Sequence, residues 1–343
     1  MNKIKDFIRK HKVLSITLIS ILTIVLVLVF STITLFTSTT NNKSEVDLYI
    51  YPNTTYKELC SKLQKQNIIN DNSLSFALFS NLFSLDKNFK TGYYVIKKDI
   101  SVYSLVKKIR NGEQQTIRIT INNVRTTDIF AGKVAKKLLL SKEDIIKAID
   151  SLNYSYPNEL FYHILPDTYE FYWTVNAKEL IQRLFNFSDK WWNKQQNRIK
   201  NIGYTKEEII ALASIVQEET VKEDEKSLIA GVYINRLKSD MLLQADPTVK
   251  FAYGDFTLQR IRLEHLRIDS PFNTYKYKGL PPAPICLPDI STIKAVLNYK
   301  QHNYLYFCAK EDFSGYHNFA STVQEHNLNA KKYHSALNKR NIK

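Results

Sequence analysis

The chain has 343 residues and a formal net charge of +15, with hydrophobic residues at 44% and charged residues at 24%. That length allows two modest domains, or a membrane anchor with one domain and a smaller module, and that balance excludes a mainly disordered chain. The basic excess asks for an anionic neighbour or reports only a lysine-rich solvated surface, and the absence of zinc-finger spacing, RNA-recognition signatures and dense basic helices argues against nucleic acid.

The first element is apolar. Residues 13 to 42 carry no charge, and the core of the run, 13 to 36, is mostly Leu, Ile, Val and Phe with Ser and Thr. A helix of about 20 such residues spans a bilayer core. Lys3, Lys5, Arg9, Lys10 and Lys12 precede it with only Asp6 opposing, so the N-terminus is expected in the cytoplasm and the chain after about residue 42 outside. A cleaved signal peptide is the rival, but its apolar region is shorter, roughly 7–15 residues, and no Ala-x-Ala site follows Phe36. The expected order is a cytoplasmic tail over 1–12, a transmembrane helix over 13–37 and a linker over 38–45.

Short mixed elements follow. Val46 to Tyr51 alternates as a strand does, Thr54 to Leu59 opens a helix, and a second helix runs through Ser73 to Phe79. Thr91 to Ile96 reads as a strand and Ser101 to Arg110 as a short helix closed by the Asn111-Gly112 turn. Ile117, Ile119 and Ile121 alternate in another strand. Helices then dominate. Ser141 opens one with a capping box, and Asn176 opens a long one carrying Leu180, Leu184, Phe187 and Trp191, with Gly203 as its stop. Leu165 to Phe171 reads as a turn entering an extended segment, and 270–288 is rich in proline turns. Cys60, Cys286 and Cys308 are too few and too far apart for a disulfide framework or a tetrahedral zinc site, though a single bridge from Cys60 stays open. Cys308, in the apolar run 304–309, is expected as a buried strand residue.

The segment 205–220 carries the sharpest signal. Thr205-Lys-Glu-Glu208 is a capping box, and at about 100° per residue Ile209, Leu212, Ala213 and Val216 form a core stripe. Glu218 then falls about 180° from Ile209 and should be solvated, whereas Glu219 falls about 80° away, at the margin of apolar packing. Desolvation disfavours the charged carboxylate, and a carboxyl kept partly protonated near neutral pH is what a general acid in glycoside cleavage requires. From helix geometry alone, a glutamate paired with a lysine near a helix end is the favoured reading, and no second acid is placed by spacing. Gln244 to Thr248 is a substrate loop or an Asp-Pro turn, Ser270 to Tyr275 a sugar-facing or an ordinary loop, and His317 with Glu325, His326 and Asn327 matches no standard metal spacing.

Taken in order, the blocks Leu165–Phe171, Ala213–Thr220, Asn235–Leu237, Gln244–Val249, Ser270–Tyr275, Gly279–Pro284, Tyr304–Phe307 and Glu325–Asn327 resemble the YceG-like (MltG) endolytic murein transglycosylase family. Each block is weak, but the ordered set is specific and covers nearly the whole chain after the anchor. The resemblance implies an α+β chain: one N-terminal transmembrane helix, a small LysM-like α/β region over 46–160, and a mainly helical, lysozyme-like catalytic domain with some strands over 161–343. It implies Glu219 as the catalytic acid, with Gln244, Asp246, Thr248, Asn273, Thr274, Tyr275, His317, Glu325, His326 and Asn327 as candidates for lining the glycan cleft. The family often carries glutamate where this chain has Gln217, which puts a helper role there in doubt. Peptidoglycan glycan strands are the implied substrate, cell-wall synthases possible partners, the bacterial inner membrane the location, and neither metal nor organic cofactor is needed. Two other readings compete: a non-catalytic peptidoglycan-binding scaffold, and a hydrolytic muramidase.

Overall fold

A computed structural model describes residues 2–71, 73–258 and 261–340 of the chain. It is a mixed helix and strand protein whose residues cluster into two compact units, 1–117 with 172–174, and 118–171 with 175–343.

The first unit begins with α1 (Asn2–Thr37), of which Ile16–Thr37 is long and apolar enough to cross a membrane, at mean hydropathy 2.7. The side chains of Lys3, Lys5, Arg9 and Lys10, on which the expected orientation rests, lie outside the described residues. Then come β1 (Val46–Ile50), α2 (Tyr56–Lys65), α3 (Leu74–Leu82), the single turn α4 (Leu85–Asn88), β2 (Gly92–Ile96) and α5 (Val102–Asn111). β1 and β2 pair antiparallel, Val46 opposite Ile96 and Ile50 opposite Gly92. Leu48 and Ile50 on one face of β1 close over Leu59, Leu63, Phe79, Leu105 and Ile109, all buried. Thr55 starts α2 with a capping box, and Gly112 ends α5 at φ 72°, a left-handed conformation that costs glycine nothing.

The second unit contains β3 (Thr116–Ile121), α6 (Thr127–Ala135), α7 (Lys142–Asp150), β4 (Asp167–Tyr172), α8 (Ala177–Asn193), α9 (Gln196–Ile202), α10 (Lys206–Glu219), α11 (Glu223–Lys238), α12 (Asp246–Tyr253), α13 (Ile290–Leu297), β5 (Tyr306–Ala309), β6 (His317–Ala320) and α14 (Val323–Lys339). β3 pairs with β4, and β5 with β6, antiparallel with Tyr306 opposite Ala320. Its core is helical: α10, α11 and α13 pack on one another through Ile209, Leu212, Val216, Ile229, Tyr233, Ile293 and Val296. In α11 a Cβ on Gly231 would come within 2.5 Å of the Lys300 carbonyl, so glycine there lets the 300–302 segment lie directly on the helix.

Four expectations need correcting. The long helix from Asn176 to Gly203 is two helices, broken at Lys194–Gln195; Trp192 is buried on its inward face beside the half-buried Trp191, while Phe187 is exposed. α10 has no single core stripe, because every residue from Ile209 to Val216 is buried: the helix runs through the middle of the unit with neighbours on all sides. Glu218 is not free in solvent but ion-paired. Cys308 lies on β5 but is only half-buried, and all three cysteines are free.

Candidate active site

Glu219 is the last residue of α10, where the helix leaves the core. The Thr205 capping box at the other end sets its start, and thirteen further residues of regular helix then fix which way residue 219 points. Glu219 is half-buried and accepts a hydrogen bond from the Tyr233 hydroxyl at 2.7 Å. Burial pushes its carboxyl up to about 7; the bond from Tyr233 and the charges of Lys250 and Arg236 pull the other way, and Asp246 adds to the rise. Tyr233 is itself buried and its phenol is held well above its ordinary range, first by burial and then by Glu219, so it stays a donor.

Arg236 follows Tyr233 by one helical turn on α11 and is also buried. Its guanidinium donates to the carbonyls of Leu305 at 2.6 Å, Leu242 at 3.2 Å and Leu243 at 2.9 Å, and to Gln244 Oε1 at 3.3 Å. Burial lowers its pKa, but a guanidinium keeps its charge. The result is a fixed positive charge beside the carboxyl, and the same bonds shape the 242–244 loop. Gln244 sits in that loop at φ 52°, unusual for a residue with a Cβ, with its N–H donated to the Thr274 carbonyl.

Glu219, Tyr233 and Arg236 form the floor of a cavity of about 290 Å³. Gln244, Asp246, Tyr275 and His326 stand around it with Leu243 and Phe307. The Tyr275 hydroxyl donates to Asp246 at 2.6 Å. Both residues also border a larger hollow of about 970 Å³, lined as well by Thr257, Leu258 and Ile261–Leu266. The two hollows share Asp246 and Tyr275 on their borders, and Glu219 lies in the smaller part of the groove they make up. His326, in the first turns of α14, stacks on Tyr306 and leaves its Nδ1 buried without a hydrogen-bond partner; burial and Arg236 lower its pKa, so the ring is neutral near pH 7.

The other candidates lie elsewhere. Thr248, Asn273 and Thr274 are buried behind the wall: Thr248 and Thr274 share a 2.8 Å hydroxyl contact, Thr274 accepts from the Ala245 N–H, and Asn273 donates to the carbonyls of Leu266 and Ile268. They hold the two loops that present Gln244, Asp246 and Tyr275. His317 pairs with the buried Glu225 at 2.8 Å. Glu325 caps α14, accepting from the N–H groups of Ser321 and Thr322, and Asn327 is exposed on that helix. Gln217 is turned toward α13, where it donates to Asp289 at 3.2 Å and accepts from the Asp289 N–H and the Thr292 hydroxyl. Glu218 pairs with Arg125 at 2.7 Å, on a different side of α10 from the groove. Among the described residues no cluster of three His, Cys, Asp or Glu could hold a metal ion.

Tyr233 and Arg236 were not singled out from sequence. The available signal was a tyrosine and an arginine three apart in the mostly apolar stretch Ile229–Leu237, the arginine inside the block Asn235–Leu237 that carries the resemblance.

The YceG-like family model matches residues 48–332. A Bacillus subtilis (strain 168) protein named endolytic murein transglycosylase is 28% identical over 321 residues, covering 88% of each chain. A Streptococcus pneumoniae (serotype 2) protein of the same name is 28% identical over 338 residues, covering 87% of this chain and 60% of the relative. The crystal structure of a yceG-like protein from Listeria monocytogenes aligns with TM-score 0.54 and 27% identity over 84% of this chain and 99% of its own.

Proposed function

The chain belongs to the YceG-like family, and on that premise we propose that it is an endolytic murein transglycosylase with Glu219 as its acid and base. The observation that carries the assignment of Glu219 is a half-buried carboxyl in the groove, with burial holding it at about 7, where it is protonated enough to give a proton and ionised enough to take one.

The chemistry uses that residue twice. Glu219 gives its proton to the oxygen between MurNAc C1 and GlcNAc, and the C1–O bond breaks with the pair leaving on the GlcNAc oxygen. The N-acetyl carbonyl of the same MurNAc covers the electron-poor C1. The Glu219 carboxylate then removes the proton of the MurNAc C6 hydroxyl, and O6 closes on C1 as a 1,6-anhydro ring. No water is consumed, and the acid is regenerated. One carboxylate suffices because the second nucleophile is intramolecular, with high effective molarity. Tyr233 orients the carboxyl, Arg236 supplies positive charge beside it, and the Tyr275 ring, Gln244, Asp246 and His326 offer stacking and hydrogen bonds to sugar. Thr248, Asn273 and Thr274 serve by holding those loops, and His317 and Glu325 by holding the β6–α14 region.

In the cell, α1 anchors the enzyme in the inner membrane with its N-terminus in the cytoplasm, and the chain after α1 lies outside. The region 46–160 contains a LysM-like membrane-proximal module, and 161–343 a lysozyme-like catalytic domain. Cutting nascent strands there terminates glycan elongation, which makes cell-wall synthases natural neighbours.

The test is to digest peptidoglycan with the detergent-solubilised chain and with Glu219→Gln, and to identify chain ends by mass spectrometry. Anhydro-MurNAc ends from the wild type alone are the expected result. Reducing MurNAc ends would make it a muramidase with Asp246 as the second carboxylate, and no new ends would make it a scaffold.

A further inference from the structure

α3 is apolar on its outer face as well as its inner one. Its nine residues, Leu74–Leu82, contain no charge, and its buried face carries Ser75, Phe76, Phe79 and Ser80. The exposed positions are Leu74, Ala77, Leu78, Asn81 and Leu82, with the three leucines 81%, 46% and 65% exposed. Leucines four apart drift only about 40° per step, so they form one ridge along the helix. A helix on a solvated surface places its polar residues outward, and an apolar outward ridge marks an interaction surface.

The position of α3 relative to α1 says what covers the ridge. The chain leaves α1 without a slack linker: Ser38 accepts from the Val102 N–H at 2.9 Å, Thr40 donates to Ile100 at 2.9 Å, and Asn41 donates to Ile68 at 3.0 Å. Phe36, still within the apolar span, sets its ring against Phe79 of α3 at 5.1 Å and Tyr103 of α5 at 5.5 Å. Leu35 and Leu74 line the same hollow of about 350 Å³. The span Ile16–Thr37 is 22 residues, about 33 Å of helix against a hydrocarbon core of roughly 30 Å. Its last turn therefore lies at the outer edge of the hydrocarbon, and α3 begins at that level. Beside it Lys107 sits over the Tyr103 ring at 5.3 Å, an aromatic and cation pair of the kind that settles among headgroups.

We propose that α3 is a second membrane contact: its Leu74–Leu78–Leu82 ridge lies in the outer face of the bilayer that α1 crosses, and fixes the first unit against the lipid surface. This rests on the reading of α1 as a membrane anchor. The ridge supplies the short apolar insertion of an interfacial helix, and α1 supplies the permanent tether that so small a contact could not provide by itself.

The test places a tryptophan at one position at a time in the full chain and reconstitutes each variant in vesicles of phosphatidylglycerol and phosphatidylethanolamine with brominated acyl chains. Leu26→Trp reports on the span, Leu78→Trp on the ridge and Lys57→Trp, on α2, on a solvated face; the wild type supplies the background of the native tryptophans. The added emission of Leu26→Trp should be largely lost, that of Leu78→Trp reduced by about half, as suits a side chain roughly 5–10 Å into the boundary, and that of Lys57→Trp kept. Quenching at 26 with none at 78 overturns the inference and leaves the anchor standing. No quenching at 26 removes the anchor reading and the inference with it. Quenching at 78 that disappears as protein-to-lipid ratio rises assigns the ridge to a second copy of the chain, against the proposal. As a second measurement, Ala77→Trp should lose its quenching when Leu74, Leu78 and Leu82 are all changed to Gln. Those side chains are outside the buried core of the unit, and unchanged quenching would also overturn the proposal.

Discussion

Glu218 and Glu219 adjoin in the chain and serve two different regions. Glu219 faces the groove, accepts one neutral hydrogen bond from Tyr233, and is pushed up to about 7 by burial. Glu218 faces a hollow of about 50 Å³ on another side of α10, where the Arg125 guanidinium meets it at 2.7 Å and lies 5.1 Å from the centre of the Phe256 ring. One step of helix, about 100°, separates a carboxyl held at about 7 by burial from one that ties α10 to the loop before α6. Neighbouring residues of the same type are thus assigned opposite work by what the rest of the fold brings to each side. Phe256 adjoins the segment that walls the larger hollow, so the ion pair also supports the groove from behind.

The comparison breaks most easily at the groove. Glu219→Gln should cost about 10²–10⁴-fold in the formation of anhydro ends, the range of a lost general acid and base, whereas Glu218→Gln should stay within about tenfold of the wild type. Comparable losses in both variants, by mass spectrometry of products, would end the division of labour.

The next effect concerns stability. The folded Glu219 has its pKa raised from 4.5 to about 7, so the native state holds a proton that the unfolded chain has already lost. The contribution is complete below about pH 4.5 and is lost as pH rises through about 7, at most about 3 kcal/mol between those limits. The wild type should therefore melt below Glu219→Gln at pH 8, and the gap should close toward pH 4. A gap independent of pH would mean the carboxyl is solvated.

On the other side of the helix, Arg125→Met should lower the melting temperature by a few degrees. The pair is partly solvated, with side chains 40% and 26% exposed, so its loss costs about 1 kcal/mol. Adding Glu218→Gln should recover part of that loss, because the unpaired charge is removed with its partner, and an additive result would deny the pairing.

The smallest effects refine the groove. Tyr233 lowers the Glu219 pKa by its hydrogen bond, and Asp246 raises it. Tyr233→Phe should thus move the alkaline limb of the pH–rate profile upward and Asp246→Asn downward, each by about one pH unit or less. Shifts in the same direction would show that neither neighbour acts through the carboxyl.

Much of the local structure is written in short-range signals. Ser141 and Thr205 form their capping boxes where the spacing predicts them, Gly112 ends α5, and β1 and β2 take the strands that alternation assigns. The break at Lys194–Gln195 was not legible, because α8 and α9 carry nearly continuous helical periodicity and no glycine or proline separates them. The groove was legible only in part. Gln244, Asp246, Tyr275 and His326 reach it, while Thr248, Asn273 and Thr274, from the same sequence blocks, turn inward to brace the loops.

The sequence by itself determined where helices start, which segment is apolar enough to cross a bilayer, and that residue 219 differs in phase from residue 218. Such features depend on backbone hydrogen bonding and on the fixed angle between successive residues, which neighbours in the chain suffice to set. Tertiary structure alone decided that α10 is buried on every side, that Tyr233 and Arg236 sit under Glu219, and that Arg125 reaches Glu218 across 93 positions. Burial and charge pairing depend on atoms brought near from distant parts of the chain, and a helical angle specifies a direction without specifying what lies along it.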